Sequence, residues 1–151
     1  MFTVHAEHHL RAPGPEVWEV LQDFGGHHRF NPFIERSRIT NGIPVGLGAE
    51  REVVLYDGAV MRQRVVDYQP GQSMIIEVIE TDQWVRHYLI EISVRTETTD
   101  SCVLSYRVSY KAPFGVLGFP VGLFYKVVLK SRYNHVLRGL ERYVRVNQAP
   151  G

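Results

Sequence analysis

The sequence predicts an α+β domain, in which a curved, seven-stranded antiparallel sheet wraps around one long C-terminal helix and two short helices follow the first strand. Three observations point there. Between Ile34 and Lys111 the chain reads as short alternating segments divided by turn signals, among them Asn41-Gly42, Asp57-Gly58 and Pro70-Gly71; strands joined by short turns pair antiparallel. From Val121 to Val146 it reads as one helix, long enough to cross the whole domain. A sheet with one apolar face needs cover, and no other segment is large enough to supply it.

In chain order, Phe2 to Leu10 alternates as a strand, with Phe2, Val4, Ala6, His8 and Leu10 on the more apolar, inward face. Ala12-Pro13-Gly14-Pro15 breaks it. Pro15 and Glu16 suit the first turn of a helix, Val17, Trp18, Leu21 and Phe24 fall at helical spacing, and Gly25-Gly26 is read as its stop. His27 to Phe33 is a second short helical turn. Strands follow at Ile34–Thr40, Gly48–Tyr56, Ala59–Tyr68, Ser73–Glu80, Gln83–Arg95 and Val103–Lys111. Asp57-Gly58 is the strongest hairpin signal, expected as a turn with both central residues at positive φ. On the last helix two apolar stripes are expected, offset by about a quarter turn: Leu117, Val121, Phe124, Tyr125 and Val128, then Leu129, Tyr133, Val136, Leu140 and Tyr143. Arg132 and Tyr125 fall between them, where a helix presents mixed chemistry to an interior space.

With 151 residues the chain fits a single domain, 1–147, with a short tail, 148–151, and has enough length for a real core. A formal net charge of +1 argues against a nucleic-acid partner, which needs a concentrated basic patch. Arg132, Arg138, Arg142 and Arg145 read as a solvated helix face interrupted by Glu141. A single cysteine, Cys102, excludes an internal disulfide and a cysteine-based zinc site; it reads as a small core or edge residue. Ala112 to Leu129 is apolar but holds prolines, glycines and Lys126, short of a clean span of ~20 residues. No signal peptide is visible. The expectation is a cytoplasmic protein without membrane insertion, cofactor or metal; oligomeric state is left open.

The motif Leu10-x-Ala12-Pro13-x-x-x-Val17-Trp18-x-x-Leu21-x-Asp23-Phe24, with Phe30-Asn31-Pro32, Gly46-x-Gly48-Ala49 and Phe114-Gly115-x-Leu117-Gly118, resembles the START/Bet v 1-like helix-grip superfamily. Within it the chain is similar to the polyketide cyclase/dehydrase branch of the SRPBCC proteins. The resemblance implies a hydrophobic cavity for lipids, sterols, polyketides or plant-hormone-like molecules, with cyclases, aromatases and hydrolases as a minority of members. Pro120 departs from the usual helix entry and suggests a kink or a helix beginning near it.

Polar groups on inward strand faces are the informative candidates, because a buried charge must be paired or meet water or ligand. Alternation places Trp84, Arg86, Tyr88, Ile90, Ile92 and Val94 inward on one strand, Leu104, Tyr106, Val108 and Tyr110 on another, and Arg51, Val53 and Leu55 on a third. Arg86 and Tyr88 are two apart and share a face, so an Arg able to hold a carboxylate or enolate sits beside a Tyr able to donate to a carbonyl; alternatively Arg86 reaches solvent at the sheet end. Arg51 is either a ligand anchor or the partner of Glu35, Glu50 or Glu52. His8 is either a hydrogen-bonded core residue or an acid–base group. His5, Glu7 and His9 share an outward face, and His27-His28 reads as an exposed cap near the cavity mouth.

These residues support a binding protein for a small hydrophobic or amphipathic, lipid- or polyketide-like molecule. Leu117, Val121, Phe124 and Val128 would form its helix wall, Trp84, Tyr88, Tyr106 and Val108 its sheet wall, and Arg51 and Arg86 its polar anchors. The alternative is a polyketide cyclase, aromatase or dehydratase using the same pocket, with Arg86, Tyr88 and His8 as catalytic candidates. A regulatory domain that binds a protein partner through its mouth loops is a third reading.

Overall fold

A computed structural model describes residues 2–81, 86–111 and 119–148. Strand β1 (Phe2–Leu10) is followed by helix α1 (Gly14–Gln22) and a 3-10 segment (Phe24–Arg29). Strands β2 (Ile34–Ile39), β3 (Glu50–Leu55), β4 (Val60–Gln69), β5 (Ser73–Thr81), β6 (Arg86–Thr98) and β7 (Ser101–Lys111) come next, and helix α2 (Phe119–Gln148) completes the described chain. All seven strands form one sheet in the order β1-β7-β6-β5-β4-β3-β2, antiparallel throughout. Six strands are thus a meander, and β1 closes against the last of them. Register shifts in β2/β3, β4/β5 and β6/β7 add the local bends that let a sheet curl around a helix.

Three local expectations need correction. Helix α1 ends before Gly25-Gly26, because Asp23 has left the helical region (ψ 79°); the two glycines lie inside the 3-10 segment, whose first turn is closed by Gly26 N–H on the Asp23 carbonyl at 2.9 Å. In the β3–β4 hairpin Gly58 has φ +91° and Asp57 is not at positive φ. The Gly58 N–H meets the Leu55 carbonyl at 2.9 Å, giving a three-residue loop with its glycine in the left-handed position rather than a two-residue primed turn.

The third correction concerns α2. Its inward face is Gly122, Leu129, Tyr133, Val136, Leu137, Leu140 and Val144, with Tyr125 half-buried. That is one continuous stripe at helical spacing, so no quarter-turn drift occurs. Val121 (39% exposed) and Phe124 (71% exposed) face out, because Gly122 takes the inward position: a Cβ there would lie 2.2 Å from the Phe2 ring, and the Gly122 carbonyl accepts the Tyr110 hydroxyl at 2.7 Å. Glycine carries no hydrophobic signal, so the pattern of large apolar residues pointed one position away. Further along, Gly139 lets α2 meet the chain after the 3-10 segment, where an added Cβ would sit 2.2 Å from the Phe30 carbonyl oxygen.

The buried apolar side chains form two clusters. The larger joins β1, α1, β5, β6, β7 and the later turns of α2; the smaller holds Ile34, Val53, Leu55 and Met61. The space between them positions the site.

Candidate functional site

Arg51, Val53 and Leu55 alternate inward on β3 as expected, and Arg51 is 4% exposed. Its Nε donates to Gln63 Oε1 at 2.8 Å and its Nη1 to the Phe24 carbonyl at 2.9 Å. The guanidinium carbon lies 4.1 Å from the centre of the Phe24 ring, a cation–π contact. Gln63 is its cross-strand neighbour on β4. The expected carboxylate pairing does not occur. Glu50 is taken by Arg62 and Arg64, Glu52 by Arg38, and no carboxylate among the described residues pairs with Arg51. Burial brings its pKa down to about 10, opposed by the neighbouring Tyr106 and Tyr133 phenols. The group remains a cation at neutral pH, with no counter-ion among the described residues.

Around it stand three tyrosines. The Tyr88 and Tyr133 hydroxyls hydrogen-bond to each other at 2.9 Å, and the Tyr106 ring packs on Tyr133 with centroids 5.4 Å apart. Burial pushes Tyr133 up to about 12 and Tyr88 and Tyr106 well above the usual phenol range, so all three are neutral O–H groups. His27 corrects its reading as an exposed cap. It is buried between the Phe24 and Phe30 rings, and its Nε2–H donates to the Leu21 carbonyl at 2.7 Å. Burial, then the Arg51 charge, lowers its pKa to about 3.

These groups line an interior cavity of about 60 Å³. Its apolar walls include Val53, Leu55 and Met61 from the smaller cluster and Ile76, Ile90, Ile92 and Val136 from the sheet and helix of the larger domain core. Its mouth is formed by Asn31, Phe33 and Arg132, whose guanidinium carbon is 5.1 Å from the Phe33 ring centre. Such a cavity has room for a few waters and lies well below the ~300–1,000 Å³ of pockets that engulf a drug-sized molecule.

Of the residues singled out from sequence, Arg51, Tyr88 and Tyr106 converge on this cavity, as do Arg132 and Tyr133. Val108 is fully buried on the β7 face, and Val128 is half-buried, but neither lines it. Val121 and Phe124 contribute no wall. His8 is not an isolated inward group: its Nε2 pairs with Glu141 of α2, which also takes Arg145 at 2.8 Å. Trp84, Leu117 and the side chain of Arg86 lie outside the described residues. The backbone after Arg86 bulges, with His87 at φ +51° and a register shift between Arg86 and Leu89, so simple alternation does not link Arg86 to Tyr88. His5 and His9 are exposed, near Glu7 and Glu97, and among the described residues no group of His, Cys, Asp or Glu is placed to hold a metal ion. Cys102 is buried, and burial raises its thiol pKa. No described helix is long and apolar enough to cross a membrane. The sequence reading put His27 near the cavity mouth but exposed, and it missed Gln63, which alternates with Met61 and Val65 on β4 as a polar residue at a core position.

A curved antiparallel sheet closed by a long C-terminal helix, with two short helices after the first strand and a polar pole in the interior, defines a START-like helix-grip protein. The chain belongs to the SRPBCC family described as polyketide cyclase/dehydrase and lipid transport, which matches residues 1–145. It is 29% identical over 96 residues to the abscisic acid receptor PYL10 of Arabidopsis thaliana, covering 61% of this chain; the aligned part spans about half of that relative, 52%. Similar solved structures include XoxI of Bacillus cereus (TM-score 0.81, 16% identity, 95% of this chain and 96% of that one). A START superfamily protein of Mycobacterium smegmatis superposes with a TM-score of 0.80 at 15% identity, covering 97% of this chain and 99% of that one. At such identities the structures speak for the fold alone.

Proposed function

We propose that this protein binds a small amphipathic molecule, apolar over most of its surface, in the space between sheet and α2. The observation that supports this best is a buried polar pole, Arg51 with Tyr88, Tyr106 and Tyr133, set inside aliphatic walls at the seam of two hydrophobic clusters. An apolar pocket with a few convergent polar groups is the usual form of a ligand site. The relative PYL10 is named as a receptor for a small molecule, and the family description includes lipid transport. The cavity of about 60 Å³ accommodates a polar head; the body of the ligand enters by displacing side chains at the mouth, Phe33 and Arg132 foremost.

Binding is favoured over cyclase or dehydratase chemistry by the protonation states. General acid–base work is most efficient with a pKa near the operating pH. The described cavity groups with shifted pKa values lie far from it, His27 lowered by burial to about 3, Tyr133 raised to about 12 and Tyr88 and Tyr106 pushed by burial well above the usual phenol range. The test is uptake of the neutral fluorophore N-phenyl-1-naphthylamine, together with native mass spectrometry of protein purified from its host. Saturable enhancement at one probe per chain, or a co-purifying lipid-like mass, is expected. A protein that is always empty and does not take up the probe refutes the reading.

A further inference from the structure

The composition of the cavity wall narrows the ligand class. Among the described residues its charged members are Arg51, buried, and Arg132, half-buried at the mouth, and no Asp or Glu lines it. Arg51 commits two of its five N–H groups, to Gln63 and Phe24, and the rest have no partner among the described residues. The Tyr106 hydroxyl likewise has none. Of the Tyr88–Tyr133 pair one hydroxyl donates to the other, which leaves the accepting hydroxyl's own proton available. The interior therefore offers a surplus of donors and of positive charge.

We infer that the molecule held here carries a carboxylate, seated against Arg51 and the Tyr106 hydroxyl, with an apolar body directed past Ile90 and Val136 towards the mouth. This rests on the ligand-binding reading above and specifies its chemistry. A buried guanidinium without a counter-ion is costly, and a bound anion removes that cost by forming the missing ion pair in a water-poor space. The planar fork of Arg matches the two oxygens of a carboxylate. The charge count also fits. Arg51 neutralises one negative charge at the depth of the cavity, and the second cation, Arg132, stands at the mouth over Phe33. A dianionic phosphate monoester would bury a charge that Arg51 alone does not balance. The apolar walls suit an aliphatic or aromatic acid rather than a sugar acid.

The experiment compares decanoate with decanamide, which has the same shape and no charge, by isothermal titration calorimetry on the intact chain near neutral pH. Decanoate should bind one per chain and about 10- to 100-fold more tightly than the amide, the range expected for a charge-assisted hydrogen-bonded pair. Arg51→Gln should reduce the preference for decanoate over decanamide to less than about threefold. If that variant does not fold, the wild-type protein still decides: the Arg51 Nε–H resonance should shift on adding decanoate and stay in place with decanamide. Equal affinity for acid and amide, or an unmoved Arg51 resonance at saturation with decanoate, overturns the inference. If the neutral fluorophore enters while decanoate does not, the carboxylate is wrong and the apolar-ligand reading stands; if neither enters, both fall.

Discussion

Replacing Arg51 by methionine separates a residue kept for a ligand from one kept for the fold. The drop of the guanidinium pKa from 12.5 to about 10 corresponds to about 3 kcal/mol of unfavourable burial, at ~1.4 kcal/mol per tenfold. The sign follows from linkage: the unfolded chain holds this proton more tightly, so the cost is fully present below pH 10 and is relieved only as pH rises from there to 12.5. Methionine removes the cost and keeps most of the stem volume. It also withdraws the donors to Gln63 Oε1 and the Phe24 carbonyl, at about 1–3 kcal/mol for each acceptor left buried without one. No carboxylate is stranded, so the ~3–5 kcal/mol penalty of a broken buried ion pair does not arise. The terms nearly cancel, and Arg51→Met should lie within about 2 kcal/mol of wild type. Adding Gln63→Leu, which removes one stranded acceptor, should recover part of any loss. Urea unfolding followed by tryptophan fluorescence measures this, Trp18 being buried in the core. A loss beyond about 4 kcal/mol would show that the guanidinium is a structural tie between β3 and the 3-10 segment, and the case for a ligand anchor would fail.

Three further perturbations test other parts of the structure. His27 has a folded pKa of about 3 against 6.5 in the open chain, so the unfolded state takes up a proton first; stability should fall by about 1.4 kcal/mol per pH unit as pH drops below 6.5, and His27→Asn should flatten that slope in urea titrations. Gly139→Ala gains up to ~1 kcal/mol of helix propensity but drives a Cβ against the Phe30 carbonyl; we expect a net loss of about 1–2 kcal/mol, read as a lower thermal midpoint, and an unchanged or raised midpoint would mean that α2 stands further from that loop. Tyr88→Phe and Tyr133→Phe each leave the other hydroxyl without its 2.9 Å partner, so a double-mutant cycle in urea should give a coupling of about 1 kcal/mol, and strictly additive losses would contradict the bond.

How much of this was legible in the sequence depends on what periodicity encodes. Alternation tells which side of a strand a residue faces, and it placed Arg51, Val53 and Leu55, and Tyr106, Val108 and Tyr110, on buried faces, as the structure has them. It does not tell what lies opposite. That Arg51 would reach the Phe24 carbonyl, 27 residues away, or that Glu50 would be drawn to Arg62 and Arg64 on the outer face of β4, are facts of tertiary packing. His27 looked exposed because it follows two glycines; its burial is fixed by the Leu21 carbonyl and two phenylalanine rings. Gln63 did leave a signal, as the polar member of an apolar alternation. The inward stripe of α2 was misread at its start because the residue facing the sheet there is Gly122.

The same geometry explains why the polar pole lies where it does. Opposite the sheet at this point α2 presents Arg132, Tyr133 and Val136, so two of the three side chains it turns to the cavity carry polar ends. At the other edge of the sheet, Ile34, Val53, Leu55 and Met61 form the smaller cluster, with Ala59 and Val78 packed against it. A core usually forms one contiguous cluster with smaller satellites; here Val78 packs against both clusters, and Arg51 and Gln63 share a cavity with residues of each. Protein stability alone gives no reason to keep a cation there, since well-packed apolar groups commonly serve a core as well or better. A guanidinium with no carboxylate partner among the described residues is what the proposed carboxylate ligand would account for.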